Sequence, residues 1–275
     1  MVFVYILLAA IILFCTWLFL ISPGDDAGME KFKNKKYAHR GLHGTVGGYD
    51  EYAAENSLTA FARAKEHGFG IELDLRMSKD GEIVVIHDGN LERVTGFDGK
   101  VSELTLEEIK SKPLINTTDT VPTLHEVLEL IDSAIPLLFE IKEEGMNHTL
   151  SEKVAEILKD YKGDYMVESF SPFAFGVFKK NLPNIPRGFL AYKHSMKKES
   201  SSLSFRLIQR LTFNFLARPA FIALHVKTPK LFPVPLVAAI YNTPLIAWTV
   251  KSKEEEIEAY KMGFSGIIFE GYIPD

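Results

Sequence analysis

Polar side chains gather where apolar runs end: His39-Arg40-Gly41, Glu72-x-Asp74, His87-Asp88, Glu140-x-Lys142 and Glu168-Ser169-Phe170. Glu72 and Asp74 lie two apart, so on a strand both project to one face. Glu140, on a neighbouring strand, brings a third carboxylate to the same place. Three unpaired carboxylates repel and are costly to bury. A hard divalent cation, Mg²⁺ or Ca²⁺, accepts such oxygen donors. The competing reading pairs Glu72 and Asp74 with Arg40, Arg76 or Lys142 as structural ion pairs, and spacing alone leaves both open. An imidazole ordinarily titrates near neutrality, so a pair such as His39 and His87 can serve as one general acid and one general base. Flanking a metal, such a pair suits displacement at phosphorus: one takes a proton from the attacking oxygen, the other protonates the leaving alkoxide. Taken singly, each histidine is as readily a capping or core residue. Arg40 offers a planar fork for a phosphate oxygen and Lys142 a point charge, unless they only neutralise the carboxylates.

The elements that must position these groups alternate. Candidate strands are Lys36–His39, Gly70–Leu75, Pro136–Ile141, Tyr165–Phe170, Arg187–Ala191, Phe221–Val226, Leu245–Val250 and Gly266–Phe269. Several are short and apolar, as strands buried on both faces should be. Between them, Ser57, Thr105, Thr123, Ser151 and Ser252 precede amphipathic runs and act as helix starts. Strand–helix alternation predicts an α/β fold with a parallel sheet, and eight strands predict a TIM-type (β/α)8 barrel with its active site at the strand C-termini. An open doubly wound sheet lacks its Gly-x-Gly-x-x-Gly turn here. Lys79-Asp80-Gly81 and the strand-like Ile83–His87 mark an inserted segment at about 82–114.

The chain has 275 residues, 47% hydrophobic and 24% charged, with a net charge of -5. These values exclude wholesale disorder. The mild acidity argues against a nucleic-acid partner. A single cysteine, Cys15, rules out an intrachain disulfide and a cysteine-based zinc site. Met1 to Gly24 contains no Asp, Glu, Lys or Arg. About 20 apolar residues cross a ~30 Å hydrocarbon core as a helix. A cleaved signal peptide fits less well, because no basic residue precedes the run and no small-x-small site ends it. The expected organisation is a transmembrane anchor at 1–24, a linker at 25–35 and a barrel at 36–275. What remains after the anchor is close to the ~250 residues typical of such a barrel. Lys31, Lys33, Lys35, Lys36 and Arg40 follow the span, which places the barrel in the cytoplasm by the positive-inside rule, with the extracellular face as the alternative. Between Lys193 and Arg218, basic and apolar residues mix. The segment reads either as a lipid-contacting amphipathic helix or as an ordinary barrel helix.

In order and spacing these pieces resemble the glycerophosphodiester phosphodiesterase family. The resemblance is carried by His39-Arg40-Gly41, Glu55-Asn56-Ser57, Gly70-Ile71-Glu72-Leu73-Asp74, Lys79-Asp80-Gly81, His87-Asp88, Pro122-Thr123-Leu124, Glu140-Ile141-Lys142, Glu168-Ser169-Phe170 and Ala247-Trp248-Thr249-Val250. It runs from residue 37 to residue 270. It implies a TIM-type barrel that hydrolyses glycerophosphodiesters to glycerol 3-phosphate and an alcohol, with Mg²⁺ or Ca²⁺. By motif, Glu72, Asp74 and Glu140 resemble the metal ligands, His39 and His87 the acid–base pair, and Arg40 and Lys142 the phosphate contacts. Glu55, Asn56, Glu168 and Trp248 are supporting positions. Two departures stand at the far rim, neither expected to touch the metal or histidine motifs: Lys251 where Asn is common, and Gly266–Glu270 where a Thr-Asp or similar pair is common. The Gly- and Tyr-rich stretch from Leu42 to Ala54 is expected to be a mobile lip. The expected substrate is a glycerophosphodiester or a lysophospholipid, with membrane lipid contacted through the N-terminal helix. Two alternatives are a phospholipase C- or D-like enzyme on lipid, and a non-catalytic tethered binding protein on the same barrel. Retention of both histidines and all three carboxylates argues against the last.

Overall fold

A computed structural model of the chain describes residues 1–24, 28–143, 147–192 and 207–275. Nine strands form one sheet: β1 (Lys36–His39), β2 (Gly70–Met77), β3 (Ile83–Val85), β4 (Leu137–Ile141), β5 (Tyr165–Ser169), β6 (Arg187–Ala191), β7 (Phe221–His225), β8 (Leu245–Val250) and β9 (Gly266–Phe269). Eight are parallel neighbours, and pairing of β1 with both β9 and β2 closes the barrel. β3 is the exception and lies antiparallel along β2. The TIM-type barrel expected from the sequence is therefore the fold.

Each strand divides its side chains between two cores. Leu137, Phe139, Ile71, Leu73 and Val167 point outward and pack under the helices. Tyr37, Leu138, Met166, Leu190, Phe221, Ile246 and Ile268 point inward and fill the barrel near the strand starts. Above this apolar plug the same inward rows turn acidic: Leu138 is followed by Glu140, and Met166 by Glu168. Alternation thus carries the carboxylates into the barrel mouth.

Local signals fixed most helices. Ser57 accepts from Ala60 N–H and starts Leu58–Glu66. Thr105 and Thr123 each form a capping box with the Glu three residues on, starting Leu106–Lys110 and Leu124–Ile131. Ser252 accepts from Glu255 N–H and starts Lys253–Lys261. Ser151 does not cap its helix, which runs Thr149–Leu158. Its N–H and hydroxyl instead donate to Glu143, eight residues earlier and outside the three-residue cap spacing.

The inserted segment builds a small core, with Val84, Ile86, Leu91, Val101, Ile109 and Leu114 buried together beside Ala54 and Val121. The stretch from Leu42 to Ala54 is fastened rather than loose. Arg63 donates to Gly44 O at 3.0 Å and Glu51 O at 2.9 Å, and its guanidinium lies 4.2 Å over the Tyr49 ring. Of the Lys193–Arg218 segment, Lys193, Lys197, Lys198, Leu203, Phe205 and Arg206 lie outside the described residues, as do Asp25 and Asp26. In the described remainder Leu211, Asn214 and Ala217 are buried, while Leu207 and Leu216 are exposed.

The N-terminal helix spans Val2–Ile21 and is long and apolar enough to cross a membrane. Its last turns dock on the barrel. Ile21 is fully buried in the outer core, and Asn214 Nδ2 donates to its carbonyl at 3.0 Å. Beyond it, Met29 and Phe32 fill the inner core at the strand starts, so the segment read as a linker also plugs the barrel.

Candidate active site

Strand register assembles the site. Asp74 on β2 pairs with Glu140 on β4, which pairs with Glu168 on β5; His39 on β1 pairs with Glu72 on β2. Partners in a parallel ladder face the same way, so these rows deliver four carboxylates and one imidazole to one mouth. Carboxylate oxygens of Glu72, Asp74 and Glu140 all lie within 4.8 Å of one another, and all three residues are buried. The surrounding cavity has a volume of about 380 Å³. His39, Arg40, His87, Lys142 and Glu168 line it together with Glu72 and Glu140.

The cations at the mouth are tied to these acids. Lys142 Nζ sits 2.9 Å from Asp74 and 2.6 Å from Glu140. Arg40 lies 2.9 Å from Glu55 and 3.3 Å from Asp74. Asn56 donates to Asp74 at 2.9 Å. Asp74 is accordingly held well below the usual carboxylate range: burial opposes its ionisation, but Lys142 and Arg40 outweigh it. The positive charge does not extend to the rest. Burial, with Asp74, Glu140 and Glu168 nearby, holds Glu72 well above the usual range. Burial pushes Glu140 up to about 7 against the pull of Lys142. Glu168 is raised by burial and by Glu140, and its Oε2 is buried without a hydrogen-bond partner. Four buried carboxylates facing one lysine and one arginine leave a deficit of positive charge. An all-oxygen cluster with that deficit fits a hard divalent cation. Both sequence readings of these groups therefore hold in part, since the ion pairs form and leave the cluster undercompensated.

The two histidines are each braced from behind. His39 Nδ1 lies 2.6 Å from Glu270 Oε2, and His87 Nδ1 lies 2.6 Å from Asp88 Oδ1. With the carboxylate accepting at Nδ1, each Nε2 is left to act on the cavity. His39 Nε2 faces Glu72 at 4.0 Å. Burial lowers the His87 imidazole below its ordinary value. Arg93 closes the outer rim: it bridges Asp88 and both oxygens of Glu55. Against burial, Arg93 and His87 hold Asp88 down to about 2. Glu55 is thereby placed with Arg40 and Arg93 rather than among the three clustered carboxylates. Trp248 donates Nε1 to Ala223 O at 3.0 Å, and its ring forms a cavity wall with Phe170 and Tyr192.

The strained turn after β1 explains His39-Arg40-Gly41. Arg40 has φ 57° and Gly41 φ 83°, so the chain turns sharply at the strand end. A Cβ on Gly41 would lie 2.9 Å from Ala60 Cβ and from the Phe61 ring. Only glycine meets both demands.

Sequence reasoning missed the roles of Glu270, Lys251 and Arg93. Glu270 carried the usable signal, a charged residue directly after a barrel strand. The two positions noted as departures meet each other: Lys251 Nζ lies 3.0 Å from Glu270 Oε1. Lys251 and His39 together hold Glu270 well below the usual carboxylate range, the His39 hydrogen bond contributing most.

The glycerophosphoryl diester phosphodiesterase family profile matches residues 39–271. The chain belongs to that family. It is accordingly an enzyme, a phosphoric diester hydrolase. A glycerophosphodiester phosphodiesterase of Caldanaerobacter subterraneus subsp. tengcongensis is 32% identical over 243 residues, covering 84% of this chain and 91% of the relative. The solved structure of an Oleispira antarctica phosphodiesterase, in complex with the product sn-glycerol-3-phosphate, superposes with a TM-score of 0.69 at 26% identity. That match covers 87% of this chain and 94% of the other. A Thermotoga maritima glycerophosphodiester phosphodiesterase gives 0.64 at 26% identity, covering 86% of this chain and 94% of the other. The non-catalytic alternative has no support beside these family relatives.

Proposed function

We propose that this barrel hydrolyses glycerophosphodiesters to glycerol 3-phosphate and an alcohol, using a divalent cation, Mg²⁺ or Ca²⁺, held by Glu72, Asp74 and Glu140. The observation that carries the reading is the joint geometry: three converging buried carboxylates and two histidines, each braced at Nδ1 by a carboxylate, around one cavity. When bound, the cation polarises the phosphoryl oxygens and stabilises charge developing on them. Arg40 and Lys142 reach from the carboxylates to the phosphate and fix its orientation. His39 and His87 exchange the protons: one ring accepts from the attacking hydroxyl at Nε2, the other donates to the departing alkoxide. Glu270 and Asp88 stabilise whichever ring carries the extra proton. Asn56 and Glu55 hold Asp74 and Arg40 in place, Glu168 supports the cluster from β5, and Trp248 packs against the substrate.

The test is glycerol 3-phosphate release from glycerophosphocholine and glycerophosphoethanolamine, with Mg²⁺, with Ca²⁺ and with chelator. Metal-dependent release that His39→Ala abolishes is expected. Folded, metal-loaded protein that releases nothing would overturn the reading. We also propose that residues 1–24 remain as a membrane anchor joined through 25–35 to the barrel at 36–275, which faces the cytoplasm. Lys31, Lys33, Lys35, Lys36 and Arg40 support that side. Protease added outside sealed cells should spare the barrel, and digestion there would reverse the orientation.

A further inference from the structure

Glu168 stands where the lining of the cavity changes character. The polar groups of β1, β2 and β4 end with it, and Phe170, Leu190, Tyr192 and Trp248 continue the wall. Glu168 is 1% exposed, and its Oε2 has no hydrogen-bond partner among the described residues. The sheet explains why. Register sets Glu140 beside it on β4 and Gly188 beside it on β6. Glu140 is another acceptor, held by Lys142 at 2.6 Å. Gly188 brings no side chain, and the Phe221 ring fills that space, only 2.0 Å from where a Cβ would stand. Met166, two residues earlier, and Phe170, two residues later, carry no side-chain donor.

A buried acceptor without a donor is costly, so its partner must come from outside the fold. The clustered cation site is not that partner: the oxygens within 4.8 Å of one another are those of Glu72, Asp74 and Glu140, and Glu168 is not of that set. A phosphate, itself an acceptor, cannot supply the donor. A substrate hydroxyl can. Glycerol offers two. The one next to the phosphate ester stays with the phosphate over the cluster. The terminal one reaches further, and β5 lies one strand beyond β4, about 4.8 Å away, within the span of a three-carbon chain. Phe170 and Trp248, with centroids 5.8 Å apart and planes at 77°, give those carbons an apolar flank.

We infer that Glu168 is a specificity-determining residue for the glycerol half of the substrate: it accepts a hydrogen bond from the terminal hydroxyl and lays the three-carbon chain along Phe170 and Trp248. The inference rests on the diesterase reading for its chemistry. Glycerol is the half that stays constant while the alcohol varies, and a rigid, buried acceptor suits the constant half. A carboxyl keeps an accepting oxygen whether ionised or protonated, so the contact does not depend on its charge. A diester lacking this hydroxyl leaves the acceptor unpaired on binding, and is rejected for that reason.

The test measures choline release by the full chain from glycerophosphocholine and from its analogue built on propane-1,2-diol. The analogue keeps the hydroxyl beside the phosphate ester and the same leaving group, and lacks only the terminal hydroxyl. The parent should favour glycerophosphocholine by roughly thirty-fold or more in kcat/KM. Glu168→Met should bring the two substrates within about three-fold of each other, by loss on glycerophosphocholine alone. Glu168→Asp keeps the acid, withdraws it by one methylene, and should lower the parent's ratio by roughly three-fold or more, which covers the case in which the apolar variant does not fold. Thermal unfolding with and without Mg²⁺ accompanies each assay, and both variants should keep the parent's rise in melting temperature. A parent that treats the two substrates alike overturns the inference and leaves the diesterase reading intact. So does an unchanged ratio in a folded variant. Loss of the Mg²⁺ effect in Glu168→Asp assigns Glu168 to the cation and overturns it as well. No choline from either substrate, with the parent folded and metal-loaded, overturns the diesterase reading and the inference with it.

Discussion

Replacing Glu270 by Gln tests whether the carboxylate behind His39 takes part in turnover. The substitution keeps shape and removes one charge facing Nδ1 at 2.6 Å. In the proposed mechanism His39 holds an extra proton at one point of each cycle, and Glu270 would stabilise that form. Two unit charges about 4 Å apart interact by about 4 kcal/mol at an effective dielectric constant of 20. The Glu270 side chain is 25% exposed, so solvent screening roughly halves this to ~2 kcal/mol. That corresponds to a roughly thirty-fold fall in kcat, with KM little changed, because the interaction grows only as charge develops. Lys251→Ala is the control. Lys251 pairs with the same carboxylate from an exposed position, and such pairs contribute ~0–1 kcal/mol, so its loss should cost less than about three-fold. Steady-state release of glycerol 3-phosphate and thermal unfolding would be measured on both variants. A Glu270→Gln enzyme with unaltered melting and kcat within three-fold of the parent refutes the reasoning. So does a Lys251→Ala enzyme that loses as much as Glu270→Gln.

Other outcomes follow from the same geometry. Asp74→Asn should abolish the rise in melting temperature that Mg²⁺ or Ca²⁺ gives the parent protein, a rise worth about 2.7 kcal/mol at a hundred times Kd, and should lower kcat at least a hundred-fold; undiminished stabilisation by the cation would remove Asp74 from its site. Glu140 titrates higher in the folded than in the unfolded chain, so without metal its contribution to stability is complete below the ordinary carboxylate range and is lost as pH rises towards about 7. Urea unfolding of chelated protein should therefore weaken between pH 5 and pH 7, by at most roughly 1.4 kcal/mol per pH unit for this group, and saturating divalent cation should flatten the slope. Gly41→Ala forces a left-handed residue against Ala60 and Phe61 and should cost about 2 kcal/mol or more in urea unfolding, with activity falling further because Arg40 and His39 shift; a stability loss under ~0.5 kcal/mol would show that the turn can relax.

Most of the barrel was legible because its signals are local. Short apolar runs gave the strands, and Ser57, Thr105, Thr123 and Ser252 gave the helix starts through bonds that reach only three residues. The inward acids were legible as well, since the two-residue period of a strand fixes the face shared by Glu72 and Asp74. What stayed hidden depends on contacts that the short periods of helices, strands and caps do not reach. Ser151 looked like a cap until Glu143 claimed it. Lys251 and Glu270 looked like departures until strand closure set Glu270 against His39, 231 residues away. Hydropathy marked the N-terminal helix but could not show that Ile21, Met29 and Phe32 belong to the barrel's cores. No periodic pattern records where a uniformly apolar chain end docks.

The acid–base pair proposed above is divided between two units of unequal size. His39 ends a strand of the closed barrel. His87 stands at the root of the inserted segment, held to β2 by Ile86 N–H on Asp74 O at 2.9 Å and by Arg76 Nε on its own carbonyl at 2.8 Å. The core above it is a handful of aliphatic side chains. Such a unit can open on its own at a free energy below that of global unfolding. An open molecule keeps all three clustered carboxylates and lacks one of its two imidazoles. On warming, catalysis should fade while the carboxylate cluster still binds its cation and before the barrel melts. Hydrogen exchange should then report the amides of residues 83–122 exchanging ahead of those in β4 and β5. The enzyme's upper working temperature is in that case a property of the insertion rather than of the barrel.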